Sequence, residues 1–112
     1  MSCGTLIDVQ FDERSQEGVD SINRRVEAGS ELALALSAGV LEDIFFGEDD
    51  IVGVAYNIYQ TSWDTYFNAM ASISDIVKES VRTEASQLVL YYQPKNQPKL
   101  LQFWQCIYDG SK

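Results

Sequence analysis

The chain has 112 residues, 46% of them apolar and 22% charged, which is typical of one folded domain rather than of a disordered segment. Seventeen acidic residues outnumber eight basic ones, so the formal net charge is −9. The absence of histidine removes the commonest general base and metal ligand, and no run of about 18 apolar residues suggests a membrane span. We expect a single domain over residues 1–112, located in the cytoplasm because the first residues lack the features of a secretory signal.

The charge is concentrated in one half of the sequence. Residues 1–50 contain twelve acidic residues against three basic ones, whereas residues 51–112 contain five of each. This distribution predicts an acidic pole on the folded molecule.

The two cysteines lie near opposite ends of the chain, at Cys3 and Cys106. Two cysteines do not amount to a disulfide framework, so we expect reduced thiols, one of them packed as a small apolar side chain.

The first predicted element is a strand. Residues 5–12 alternate, with Ile7, Val9 and Phe11 on one face and polar side chains on the other. This alternation is typical of a half-buried strand.

Helical spacing follows the strand. Val19, Ile22 and Val26 fall on one stripe, and either Asp12 or Ser15 is a suitable N-terminal cap. We predict the first helix here.

A second helix is predicted after a bend at Gly29. Ser30 is its cap, its apolar stripe runs from Leu32 to Ile44, and Gly47 is a suitable C-terminal stop. The acidic run at residues 48–50 is first interpreted as a solvated cap for the element that follows.

The middle of the chain allows two interpretations. Apolar side chains recur at alternating spacings of four and three over residues 52–77, which predicts one long helix. Residues 51–59 are also rich in β-branched and aromatic side chains, so a strand is the alternative there, with a helix starting at Thr61. The sequence does not decide between them.

The last quarter of the chain has a strand-like composition. Residues 87–92 and 100–108 are apolar runs, separated by a basic segment containing Pro94 and Pro98. We predict a β-hairpin whose second strand is apolar on both faces, so that it is either central in the sheet or covered by another subunit.

The resulting fold prediction is α+β. A small antiparallel sheet combines the N-terminal strand with the C-terminal hairpin, and two or three helices pack on one face of the sheet. The doubly apolar last strand favours a homodimer.

No pattern of catalytic residues is present. The glycines do not form a phosphate-binding loop, and the acidic cluster lacks the alternating aspartates of a calcium loop. Cys106 has no neighbouring positive charge in the sequence that would favour a thiolate. We expect no metal, no cofactor and no enzyme activity, although a carboxylate pair assembled in three dimensions leaves no signature in a sequence.

Direct binding to nucleic acid or membrane is not expected either, because the basic residues are few and scattered. Tyr91, Tyr92, Phe103 and Trp104 are predicted to pack in the core rather than stack on bases.

The leading functional hypothesis is an acidic inhibitor that binds a basic, nucleic-acid-handling surface of another protein. Immunity proteins against nuclease toxins and phage-encoded antagonists of host defence nucleases share this size, acidity and lack of catalytic residues. The alternatives are a non-catalytic homodimeric or assembly domain, and a small-molecule-binding domain, in which the acidity serves only solubility. The predicted partner-binding residues are Glu27, Glu31, Glu42, Asp43, Glu48, Asp49 and Asp50.

Overall fold

The structure is a computed structural model that describes residues 3–26, 30–39, 41–45, 53, 55–56 and 58–112, with only the backbone of Thr5, Glu42 and Asp43. Helices dominate these residues. In chain order the elements are a 3₁₀ turn at Cys3–Thr5, β1 at Val9–Gln10, α1 at Glu13–Asn23, α2 at Glu31–Ala38, α3 at Glu42–Phe45, β2 at Ala55–Tyr56, a 3₁₀ turn at Ile58–Gln60, α4 at Trp63–Ala71, α5 at Asp75–Tyr92 and α6 at Pro98–Gly110.

The predicted α+β fold with a three-stranded sheet is wrong. In the described part of the chain, the sheet consists of β1 and β2 alone, paired antiparallel with Val9 opposite Tyr56 and Gln10 opposite Ala55. The first strand is shorter than predicted because Asp8 has a φ of 45°, a left-handed conformation that interrupts an extended chain.

Of the two caps predicted for the first helix, Asp12 is confirmed and Ser15 lies inside the helix, and the predicted cap of the second helix is confirmed. The Asp12 side chain accepts a hydrogen bond from Ser15 N at the start of α1, and the Ser30 side chain accepts one from Ala33 N at the start of α2. These bonds satisfy backbone donors that have no partner within the helix. The bend predicted at Gly29 lies outside the described residues.

The second helix ends earlier than predicted, at Ala38 rather than near Gly47. Gly39 lies against α4, where an added Cβ would be 2.7 Å from Tyr66 Cβ, and its carbonyl accepts a hydrogen bond from Ser62 N. The chain therefore turns at Gly39 and resumes helix in α3. The acidic run at 48–50 lies outside the described residues.

The single long helix predicted over residues 52–77 is wrong. Ser62 caps α4, and the chain leaves the helix again at Ser72 before α5 begins at Asp75. Strand structure is present at the two residues of β2. The described elements thus divide the apolar pattern of residues 52–77 among β2, a 3₁₀ turn, α4 and the start of α5.

The C-terminal β-hairpin is also wrong, because both segments are helical and form the antiparallel pair α5 and α6. Pro98 occupies the first turn of α6, where a missing N–H costs nothing. The side chains that made the last segment look apolar on two faces belong to one broad buried face of a helix. Its buried members are Leu100, Phe103, Trp104, Cys106, Ile107 and Gly110.

The core lies between these helices. The α5–α6 pair is its largest interface, α1 packs on α5, and α2 packs on α4. The predicted core aromatics Tyr92, Phe103 and Trp104 have no exposed surface, whereas Tyr91 is 40% exposed.

Candidate functional site

The predicted partner-binding carboxylates fall mostly outside the described side chains. Glu31 is exposed on the first turn of α2, where its Oε2 accepts a hydrogen bond from Ser74 N at 3.2 Å. Glu31 thereby joins α2 to the start of α5. Glu42 and Asp43 open α3, but their side chains are not described. Glu27, Glu48, Asp49 and Asp50 lie outside the described residues.

The described acidic surface includes the first turns of α1. Glu13 and Glu17 are exposed there and line a shallow depression of about 280 Å³ together with Asp12, Arg14 and Tyr91. Arg14 lies 4.0 Å from Glu17 and 5.7 Å from the centre of the Tyr91 ring. One arginine thus partly offsets the carboxylates at this end of α1.

A buried hydrogen-bonded chain holds this end of α1 against the α5–α6 pair. Trp104 Nε1 donates to Ser15 Oγ at 2.9 Å, and Ser15 Oγ lies 2.7 Å from the hydroxyl of Tyr92. That hydroxyl donates to Asp12 Oδ1, which also accepts the bond from Ser15 N. Two side chains from distant parts of the sequence, Tyr92 and Trp104, therefore converge on the start of α1.

Burial of Tyr92, reinforced by its hydrogen bond to Asp12, raises the pKa of its phenol well above the ordinary value. The tyrosine therefore stays neutral and serves as a hydrogen-bond donor. No sequence pattern predicts these hydrogen bonds, because Ser15 is 77 residues from Tyr92 and 89 residues from Trp104.

A cleft with a volume of about 520 Å³ lies at the start of α4. Trp63 and Phe67 supply aromatic surface, and Asp64 and Asp109 supply carboxylates. Trp63 Nε1 is buried without a hydrogen-bond partner. No sequence pattern relates these residues, because α4 and α6 are distant in the chain.

Cys3 lines the same cleft and is disulfide-bonded to Cys106, with a Cα–Cα distance of 5.9 Å. The expectation of two reduced thiols is wrong. The pairing is possible because α6 brings Cys106 against the N-terminal 3₁₀ turn. Cys106 is nevertheless buried among apolar side chains, as expected.

An apolar groove lies between α5 and α6. Val89, Leu90 and Tyr108 line it, and Leu90 is 66% exposed. Near the start of α5 and outside this groove, Ile76 is 80% exposed. Exposed apolar side chains on one helix are a feature of protein contact surfaces, although single ones are common on monomers.

The described residues contain no group of three or more cysteine, aspartate or glutamate side chains placed to hold a metal ion. Among them, no helix combines the length and the apolarity that crossing a bilayer requires.

Comparison of the chain with protein-family models, curated proteins and solved structures finds no match. Function must therefore be argued from the residues themselves.

Proposed function

We propose that the protein is a non-catalytic, acidic inhibitor that binds a basic, nucleic-acid-handling surface of a partner protein, as immunity proteins and phage anti-defence proteins do. The observation that carries the proposal is a net charge of −9 that the fold does little to neutralise. The described residues contain three ion pairs, each between side chains three positions apart in sequence. Most described carboxylates therefore have no cationic partner.

The mechanism is electrostatic mimicry. Carboxylates presented in place of phosphates would accelerate association with a cationic surface and exclude its nucleic acid. Glu31, Glu42, Asp43 and the acidic run at residues 48–50 remain the proposed contacts, together with Glu27. Glu31 has a second role, because it also accepts the backbone N–H of Ser74. A test on Glu31 alone would therefore mix binding with stability.

The cytoplasm remains the proposed location, where nuclease targets are found. The Cys3–Cys106 bond argues against a cytoplasmic location, since structural disulfides persist mainly in oxidising compartments.

The test compares two variants of equal net charge. Glu48→Gln, Asp49→Asn and Asp50→Asn remove three charges from the proposed surface, whereas Asp64→Asn, Asp75→Asn and Glu79→Gln remove three exposed charges from the second half of the chain. Partners captured from host lysate by the wild-type protein would be identified by mass spectrometry, and their affinities for both variants measured at about 50 and 200 mM salt.

We expect a nucleic-acid-binding partner whose affinity falls steeply with salt. The first variant should bind it about 10-fold or more weakly, since rim charges contribute several tenths of a kcal/mol each, and the second should bind nearly as well as wild type. Capture of no nucleic-acid-binding protein, or equal losses in both variants, would refute the proposal.

A homodimeric assembly domain is the second candidate. The predicted strand that is apolar on both faces is a helix and does not support this candidate, but exposed Ile76 and Leu90 on α5 favour an apolar contact. Light scattering at micromolar concentration would show a dimer that Leu90→Glu dissociates, and a monomeric wild-type mass would eliminate this candidate.

A further inference from the structure

The Cys3–Cys106 disulfide connects the two ends of the described fold. Cys3 belongs to the N-terminal 3₁₀ turn and Cys106 to α6, 103 positions later in the sequence. Residues that follow Cys3, among them Leu6 and Val9, are buried in the core. The bond therefore fastens the N-terminal segment to the last helix.

The two cysteines differ in solvent exposure. Cys106 is 3% exposed, whereas Cys3 is half-buried and lines the cleft of about 520 Å³ at the start of α4. A thiolate must approach a disulfide in line with the bond and attack one sulfur. Cys3 lines the cleft and Cys106 does not, so we take Cys3 as the residue that an incoming thiolate attacks.

The cleft is negatively charged. Asp64 is exposed, and no described lysine or arginine lies within ion-pair distance of it. Asp109 is partly neutralised, because Lys112 Nζ lies 3.4 Å from its Oδ1. An incoming thiolate is itself an anion, so this wall opposes its approach unless the thiol carries a compensating positive charge.

We propose that the disulfide is a redox lock on the N-terminal segment, and that the acidic cleft selects which thiols can open it. Positively charged thiols open the bond faster than negatively charged ones. The inference concerns the disulfide alone and does not depend on the proposed partner.

The exchange is balanced with two equivalents of a small thiol. A thiolate attacks Cys3 Sγ, a new sulfur–sulfur bond forms, and the Cys3–Cys106 bond breaks with its electron pair passing to Cys106 Sγ, which takes up a proton. A second thiolate then attacks the mixed disulfide, releasing the Cys3 thiolate and the oxidised small thiol. The protein gains two thiols and the small thiol is oxidised.

The first experiment establishes the bond. Protein purified without reductant and denatured in the presence of iodoacetamide should incorporate no label, and should incorporate two labels after reduction. Reduction should also lower the melting temperature of the wild-type protein but not of a variant carrying Cys3→Ser and Cys106→Ser. Labelling of both cysteines without reduction would overturn the proposal.

The second experiment measures selection by charge. Pseudo-first-order reduction rates would be compared for cysteamine, which carries a positive charge, and for 2-mercaptoethanesulfonate, which carries a negative one. The wild-type ratio of the two rates should exceed that of Asp64→Asn by about three- to eightfold, because Asp64 lines the same cleft as Cys3 and the two reagents differ by two charges. The difference should shrink in about 1 M salt.

The matched control is Glu79→Gln, which removes an exposed carboxylate from a surface depression away from the cleft. Its rate ratio should equal that of the wild type, and circular dichroism would verify that all proteins are folded during reduction. An identical ratio in wild type and Asp64→Asn, or an equal change in Glu79→Gln, would overturn selection by the cleft.

Discussion

At the scale of single residues, the chain of hydrogen bonds through Ser15 distinguishes this core from a purely apolar one. Ser15 has no exposed surface and is bonded to both Trp104 and Tyr92. A buried polar group that loses its partner costs about 1–3 kcal/mol, more than a typical hydrogen bond contributes on balance. The network therefore fixes the packing of α1 on the α5–α6 pair rather than merely adding stability.

Ser15→Ala should lower the free energy of unfolding by about 2 kcal/mol, because it leaves the buried Trp104 N–H without its acceptor and removes one of the two hydrogen bonds of the Tyr92 hydroxyl. Urea unfolding followed by tryptophan fluorescence would measure it. The matched control is Ser86→Ala on α5, since the Ser86 hydroxyl donates only to Thr83 O within its own helix. Combining Ser15→Ala with Tyr92→Phe should cost less than the sum of the two, and additive losses would argue against a connected network.

The buried phenols of Tyr66 and Tyr92 should lower the free energy of unfolding at alkaline pH. Burial raises the pKa of Tyr66 and of Tyr92 above the ordinary value of about 10. Above that pH the unfolded chain releases these protons while the folded chain keeps them, so folding becomes less favourable as pH rises. Their contribution is complete below about pH 10 and is lost as pH rises toward the folded pKa.

The free energy of unfolding should fall by up to about 1.4 kcal/mol per pH unit for each of these tyrosines above pH 10. Tyr66→Phe should reduce this slope, even though it lowers the overall stability by removing the hydrogen bond to Ile107 O. Urea titrations between pH 9 and 11 would measure the slopes. Equal slopes in wild type and Tyr66→Phe would contradict the assignment.

At the scale of elements, the close approach of α2 to α4 depends on Gly39. Its backbone is not strained, with a φ of −83°, so alanine alone would be favoured there by about 0.4–1 kcal/mol. The added Cβ, however, would lie 2.7 Å from Tyr66 Cβ and 3.2 Å from Tyr66 Cα, atoms that cannot move without the helix. Overpacking of this kind costs about 1–3 kcal/mol, so the steric effect should dominate.

Gly39→Ala should therefore destabilise the protein by about 1–2 kcal/mol and shift α4 relative to α2. Ser37→Ala, at an exposed position of the same helix, should change the stability by less than about 0.5 kcal/mol. Thermal unfolding of both variants would test the contact. Stabilisation by Gly39→Ala would mean that the two helices lie further apart.

The elements also show how far the sequence predicts the fold. Helix caps are predictable from the local sequence: Ser30 caps the second helix as predicted, and Asp12 is one of the two caps predicted for the first. The C-terminal segment is a helix although its sequence predicts a strand. A helix that is buried over most of its circumference has apolar residues at both odd and even positions, as a central strand does. Helical spacing was nevertheless present in Leu100, Phe103 and Ile107, and Pro98 suits a helix start.

Contacts between distant segments had no local signal. Neither the Cys3–Cys106 bond nor the Asp12–Tyr92 bond follows from spacing, since each depends on the packing of α6 and α5 against the N-terminal residues. The acidic residues predicted to bind a partner follow only from the concentration of charge in residues 1–50, and their positions on the folded surface do not. The sequence could not assign Glu31 its bond to Ser74 N, which requires α2 to lie beside the start of α5.

At the scale of the whole molecule, the charge balance opposes folding while favouring association with a cationic surface. Bringing seventeen acidic residues into one small domain raises their mutual repulsion, and the described ion pairs relieve it only locally. The same uncompensated field that would attract a basic partner should therefore make the free protein sensitive to ionic strength.

The free energy of unfolding should rise by about 1 kcal/mol between roughly 10 and 150 mM sodium chloride, because the Debye length falls from about 30 to 8 Å and weakens repulsion across the domain. Urea is the suitable denaturant, since it adds no ions. A variant with Glu13→Gln and Glu17→Gln, both exposed on α1, should gain less from salt than the wild type. If salt instead lowers the stability, attractive pairs outweigh repulsion in the folded state, and the negative field proposed to bind a partner would be largely neutralised within the protein.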